Sequence, residues 1–145
     1  MKAQEELEKV LTYYAMIEEK TDDLFRLDSI VKRVTAATGG DIVSKSKEYD
    51  PQGKAVANKE NAKRELVRLQ AEYERQRDFL SGIIDSLKKP AYIKILYGLY
   101  FNGKELTEIA DQIGYTYRHT QDLRDGAIQA VQKIMDEIES SHKIS

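Results

Sequence analysis

Cysteine is absent from the sequence, which excludes a disulfide framework, a thiolate nucleophile and a Cys-ligated zinc site. Proline occurs only twice, at Pro51 and Pro90, so long stretches can run as helix without a break. No window approaches the ~18 apolar residues of a membrane-spanning helix. The N-terminal MKAQEELEKVL is acidic, with helical periodicity and no apolar run suited to a signal peptide. Histidine is scarce as well. His119 and His142 lie far apart, neither has a partner at His-Glu-x-x-His spacing, and Gly39-Gly40 lacks the Gly-Lys-Ser/Thr of a phosphate loop. No catalytic residue, cofactor site or metal site is therefore expected, and no membrane partner; the cytoplasm is the expected compartment. An excess of positive charge is missing too: the 145 residues carry a formal net charge of −2. Affinity for DNA draws largely on Lys and Arg neutralising phosphates, so this total disfavours nucleic acid unless basic residues gather on one face.

What is present is helical periodicity. Over residues 2–36, Val10, Ile17, Leu24 and Val31 recur every seven positions, with Leu7, Tyr14, Leu27 and Val34 flanking the same stripe. Charged neighbours such as Glu5, Glu18, Asp22 and Asp23 complete the pattern of a coiled-coil seam or one arm of a bundle, although Thr21 and Asp28 interrupt one edge. The period fails at Thr38-Gly39-Gly40. From there to about Asn58 the chain is polar, with Asp50-Pro51, Gly53 and the lysines Lys45, Lys47 and Lys54, and it reads as a loop over about 37–57. A loop of that length is either a solvated connector or a functional segment. A second long helix is predicted from about Ala55 to Lys88, on the stripe Leu66, Leu69, Tyr73, Gln76, Leu80, Ile83 and Leu87, with Gln76 a polar intruder. The two stripes either face each other antiparallel in one chain or meet those of another copy. After Lys88-Lys89-Pro90, residues 91–101 are apolar nearly all round and should form a buried helix. Tyr14, Tyr73, Tyr92, Tyr97 and Tyr100 sit among apolar neighbours and read as core or interface.

The stretch Leu106 to Ile128 contains two short stripes, Leu106, Ile109, Ala110, Ile113 and then Thr120, Leu123, Ala127. Between them Gly114 can take the positive φ of a helix end, and Thr116 offers a hydroxyl to cap the next helix. Ala110 is small where the helices would cross, and Tyr115 can fold back into the angle between them. This is the layout of a helix-turn-helix, whose second helix enters the DNA major groove, and equally that of an ordinary helical hairpin. The second helix is expected to run on through Ile138, with the tail SSHKIS fraying.

The segment LYGLYFNGKELTEIADQIGYTYRHTQDLRDGAIQAVQKI resembles the helix-turn-helix of sigma-factor region 4. It is more closely similar to small phage-encoded regulators of late transcription of the ArpU and RinA type. Glu108, Ile109, Ala110, Gly114, Tyr115, Thr116 and Arg118 match the motif, and the likeness is firm over about residues 87–137 and loose over the first 86. The resemblance implies an all-α fold: a long coiled-coil-like N-terminal helical hairpin over 1–89, for oligomerisation or partner binding, then a sigma-region-4-like DNA-binding domain over 90–145. Its partners would be double-stranded DNA, host RNA polymerase or a sigma factor, and further copies of itself as a homodimer or higher oligomer, in a bacterial cytoplasm. Several positions depart from the motif. Glu105 replaces the usual Ser or Thr cap, Thr120 replaces an inward apolar residue, and Asp122 and Asp125 cancel Arg118 and Arg124.

On this reading the residues near the second helix's start that reach DNA are Thr116, Tyr117, Arg118, His119, Gln121, Asp122 and Arg124. Arg pairs with guanine O6 and N7, Gln with adenine N6 and N7, and Asp accepts from cytosine N4. Thr116 and the free N–H groups beside it suit a phosphate. Tyr115 reads as core packing. Three functions follow, in this order: a regulator that binds DNA through this helix; a helical module that binds host RNA polymerase, a sigma factor or another protein without useful DNA affinity; and a purely structural coiled-coil protein. A plain surface charge is the ordinary role of Arg118, and the acidic residues lie at helical salt-bridge spacings.

Overall fold

The computed structural model describes residues 1–38 and 50–144, and among them every element is helical. In order these are α1 (Ala3–Thr38), α2 (Pro51–Asp85), α3 (Pro90–Leu96), a π-helical turn (Tyr97–Phe101), α4 (Leu106–Ile113) and α5 (Tyr117–Ile144). No helix among the described residues is long and apolar enough to cross a membrane. Contacts divide the chain into two compact units, Met1–Tyr13 with Tyr73–Ser145, and Tyr14–Glu72. This grouping cuts across the expected division at residue 89: the first turns of α1 and the last turns of α2 join the elements that follow Pro90.

In the first unit, Leu7 and Val10 from α1 meet Leu80, Ile83 and Ile84 from α2, Leu96 and Tyr100, and Ala127, Val131 and Met135 from α5. Each fully buried Leu, Ile, Val or Met side chain contributes about 1.5–3 kcal/mol relative to exposure. Both α3 and α4 pack on α5. Polar groups at the edges of this core are matched. The Ala3 N–H donates to Gln132 Oε1 at 2.7 Å, and Gln132 Nε2 donates to the Met1 carbonyl at 2.9 Å. Gln76, the polar intruder in its stripe, donates to the Glu6 carbonyl at 2.9 Å and to Glu6 Oε2 at 2.7 Å. Burial pulls the Glu6 carboxyl upward, but the hydrogen bonds from Lys9 and Gln76 outweigh it and hold the group below its ordinary value.

In the second unit α1 and α2 run antiparallel, as the ion pairs Lys20–Glu65 at 2.7 Å and Asp28–Lys59 at 2.6 Å require. The stripes therefore face each other within one chain. Among the described residues of this unit Ala55, Ala62 and Leu69 are buried, while Ile17, Leu24, Leu27, Val31 and Leu66 stay half-buried, because each helix has one described neighbour. Tyr14, expected in the core or an interface, is exposed.

Three expectations need correction. The loop expected over about 37–57 is helical from Pro51, four residues before the predicted start of α2. Asp50 supplies the reason: its Oδ1 accepts the Gly53 N–H at 2.9 Å and its carbonyl accepts the Lys54 N–H, with proline at the first helical position. Residues 39–49, with Lys45 and Lys47, lie outside the described residues. The tail does not end the chain's last helix, since α5 continues through Ser140, Ser141 and His142 to Ile144. The helix expected over 91–101 changes pitch at Tyr97: the Asn102 N–H donates to the Tyr97 carbonyl five residues back, at 2.9 Å. Tyr97 Oη anchors that turn on Asp85 at 2.5 Å and Ser81 at 2.7 Å, and Arg77 lies 5.5 Å from the Phe101 ring centre.

Leu7→Ala should destabilise the protein by about 2–5 kcal/mol in denaturant titrations, because it opens a cavity under α5 rather than on an exposed helix. The depressed carboxyl of Glu6 adds stability that is present above the ordinary carboxylate range and lost as pH falls through its folded value. Glu6→Gln should therefore fall behind the wild type above the ordinary carboxylate range and lose that deficit as pH falls through the carboxyl's folded value, read from chemical denaturation at each pH.

Candidate nucleic-acid interface

The candidate site is built on the joint between α4 and α5. Leu106, Ile109 and Ala110 are buried on one side, and Thr120, Ala127 and Val131 on the other. α4 begins without a side-chain cap, since Glu105 holds an extended backbone and its carboxylate caps nothing. Close packing compensates: a Cβ at Gly98 in the π turn would lie 2.8 Å from Ile109 Cδ1, so α4 lies directly against that turn. Gly114 ends α4 at φ +77°, ψ +25°, and its N–H and that of Tyr115 both reach the Ala110 carbonyl, at 3.0 and 3.1 Å. This left-handed residue turns the chain at no steric cost only because it has no side chain.

Thr116 caps α5 as expected, its Oγ1 accepting the His119 N–H at 3.1 Å. Thr120, a polar residue at the inward position of α5, is fully buried, and its hydroxyl donates to the Thr116 carbonyl at 2.8 Å. A side chain just before a helix cap commonly packs on an apolar residue four positions into the helix, and that position is Thr120. Tyr115 instead lies 47% exposed and edge-on to His119, ring centres 4.8 Å apart, which corrects the expectation that it packs in the core.

The other candidates fall into separate groups. Arg118 and Asp122 lie on the exposed side of α5, opposite Thr120 and Ala127, and Arg118 enters no ion pair among the described residues. Tyr117 and His119 are exposed beside them, and Gln121 is half-buried on the flank. Arg124 does not join this face. It is half-buried, tied to Asp125 by Nε at 3.2 Å and an Nη at 3.1 Å, and lines a groove of about 610 Å³ with Glu8, Leu11, Tyr100 and Lys104. There burial first, and then the Glu8 carboxylate, raises the Tyr100 hydroxyl above its ordinary value and keeps it neutral. Tyr115 is the exposed residue that the sequence reading missed, and the polar residue at 120 was the available signal.

The surface around the joint is mixed in sign. Glu105, Glu108, Asp111, Asp122 and Asp125 are exposed there, against Lys104, Arg118 and Arg124. Among the described residues no group of three or more His, Asp or Glu is placed to hold a metal ion. The arrangement can present one unpaired guanidinium, two tyrosines, an imidazole and a carboxamide along one side of a helix. No protein family, no curated protein and no solved structure matches the chain.

Gly114→Ala should cost about 1–2 kcal/mol, because an L side chain is forced into the left-handed region. Thr116→Ala should cost about 1 kcal/mol while Thr116→Ser stays near wild type, the difference being the capping hydroxyl. Thermal melts of the three variants check both statements.

Proposed function

We propose that this chain is a DNA-binding regulator of transcription, encoded by a phage or prophage and acting on late genes. The observation that carries the reading is the placement of Arg118: exposed, free of any carboxylate among the described residues, in the first turn of a capped helix and opposite the buried face of α5. In this reading α4, Gly114 and α5 act as a sigma-region-4-like helix-turn-helix within the 90–145 segment. Arg118 grips a guanine edge in the major groove, with Gln121 and Asp122 reading its neighbours. Thr116 already spends its hydroxyl on the cap, so phosphate contact falls to Tyr117, His119 and the free N–H groups at the helix start. Arg124 is held by Asp125 and leaves the set of base-reading residues. No residue has a catalytic role, and the protein works in a bacterial cytoplasm.

A second reading is favoured by the carboxylates around the joint, which oppose phosphates. In it the 1–89 helical hairpin binds host RNA polymerase or a sigma factor, and α5 touches no DNA.

A band-shift titration with the DNA upstream of the neighbouring late genes, repeated across salt concentrations, separates the two. The first reading expects affinity to fall as salt rises, with a slope that counts phosphate contacts. It also expects Arg118→Ala to lose about 1–3 kcal/mol of discrimination against unrelated DNA while its circular dichroism is unchanged. An Arg118→Ala protein that discriminates as well as its parent refutes it. Capture of RNA polymerase that needs residues 1–89 and survives Arg118→Ala supports the second.

A further inference from the structure

We propose that the groove between α1, the π turn and α5 binds a small zwitterion with an apolar body, an amino acid or a short peptide. Glu8 and Tyr100 hold its ammonium group and Lys104 its carboxylate. The inference is independent of any DNA contact by Arg118. Every residue lining the groove belongs to the unit formed by Met1–Tyr13 and Tyr73–Ser145, so the groove lies within one compact body. Its volume of about 610 Å³ falls in the range of about 300–1,000 Å³ usual for small-ligand sites.

Tyr100 carries the argument. It is only 8% exposed, yet its hydroxyl has no hydrogen-bond partner among the described residues. A buried tyrosine hydroxyl ordinarily finds one. No side-chain polar atom sealed from solvent lacks a partner among the described residues, so this hydroxyl is open to the groove that Tyr100 lines. The three charged groups that act on it, Glu8, Arg124 and Asp125, line the same groove. Glu8 acts from beyond hydrogen-bond reach, and a ligand with several donors would join the two.

The charges around the groove balance in number, Glu8 and Asp125 against Lys104 and Arg124, but not in pairing. Arg124 and Asp125 satisfy each other. Glu8 accepts the Gln4 Nε2 donor at 3.3 Å and Lys104 donates to Gln112 Oε1 at 3.2 Å, and neither has a counterion among the described residues. One open charge of each sign calls for a ligand that carries both. A lone cation would be opposed by Lys104 and a lone anion by Glu8. An ammonium group brings three N–H donors, enough for the Glu8 carboxylate and the Tyr100 oxygen together. Leu11, Leu99 and Ile128 supply apolar wall for the ligand's body.

Heteronuclear NMR titrations of the full chain with L-leucine, dileucine and trileucine test the proposal. At least one of the three should give saturable shifts at the amides of Glu8, Tyr100 and Lys104 by about 10 mM, and the tightest of them tells whether the ligand is a free amino acid or a peptide. For that compound, N-acetylation or C-amidation should each raise the dissociation constant at least about tenfold. Tyr100→Phe, which keeps the packed ring, should raise it at least about threefold with unchanged circular dichroism. Glu8→Gln should erase the preference for the free amine over the N-acetylated form. Absence of saturation by about 10 mM with all three compounds overturns the proposal, as do blocked forms that bind as well as the parent or variants that bind as wild type does.

Discussion

A helix with one apolar stripe is stable only where another surface covers it, and the supply of covering surface differs sharply along this chain. Around Leu7, Leu80, Leu96 and Met135 four helices and a π turn converge, and side chains there lose their water completely. Among the described residues between Tyr14 and Glu72 each helix has one partner, and most of its larger apolar residues, Leu69 excepted, stay only half-buried. The small residues Ala55 and Ala62 are buried there. The first unit can therefore hold a surface feature rigidly, and the second is held by ion pairs and a thin seam.

That rigidity matters at the joint of α4 and α5. The left-handed residue at Gly114, the Thr116 cap and the packing of Ile109 over Gly98 fix the start of α5 without any contribution from its exposed side. Thr120 fills an inward position with its hydroxyl satisfied on the Thr116 carbonyl, while Tyr115 lies at the surface edge-on to His119.

Periodicity made most of the helices legible: the seven-residue recurrence of Val10, Ile17 and Leu24, and the paired stripes around Gly114, both correspond to helices. Punctuation was harder to read. Asp50-Pro51 resembles a turn, yet the same two residues are a cap and a first helical position, and only the Gly53 and Lys54 N–H bonds decide between them. The pitch change at Tyr97 left no mark on an apolar run, because it depends on tertiary contacts of Tyr97 and Gly98 with Asp85, Ser81 and Ile109. The separation of Arg124 from Arg118 was legible in principle. Six positions apart on a helix they stand on different sides, and the 3.6-residue repeat alone assigns Arg124 nearer the buried stripe.

The charge balance bears on how a weakly basic surface could serve a DNA reader. Among the described residues Arg118 has no carboxylate partner, but Asp122 and Asp125 lie on the same exposed side, so a single α5 would release few counterions on meeting a duplex. On the proposed reading, one copy therefore discriminates between bases better than it holds DNA.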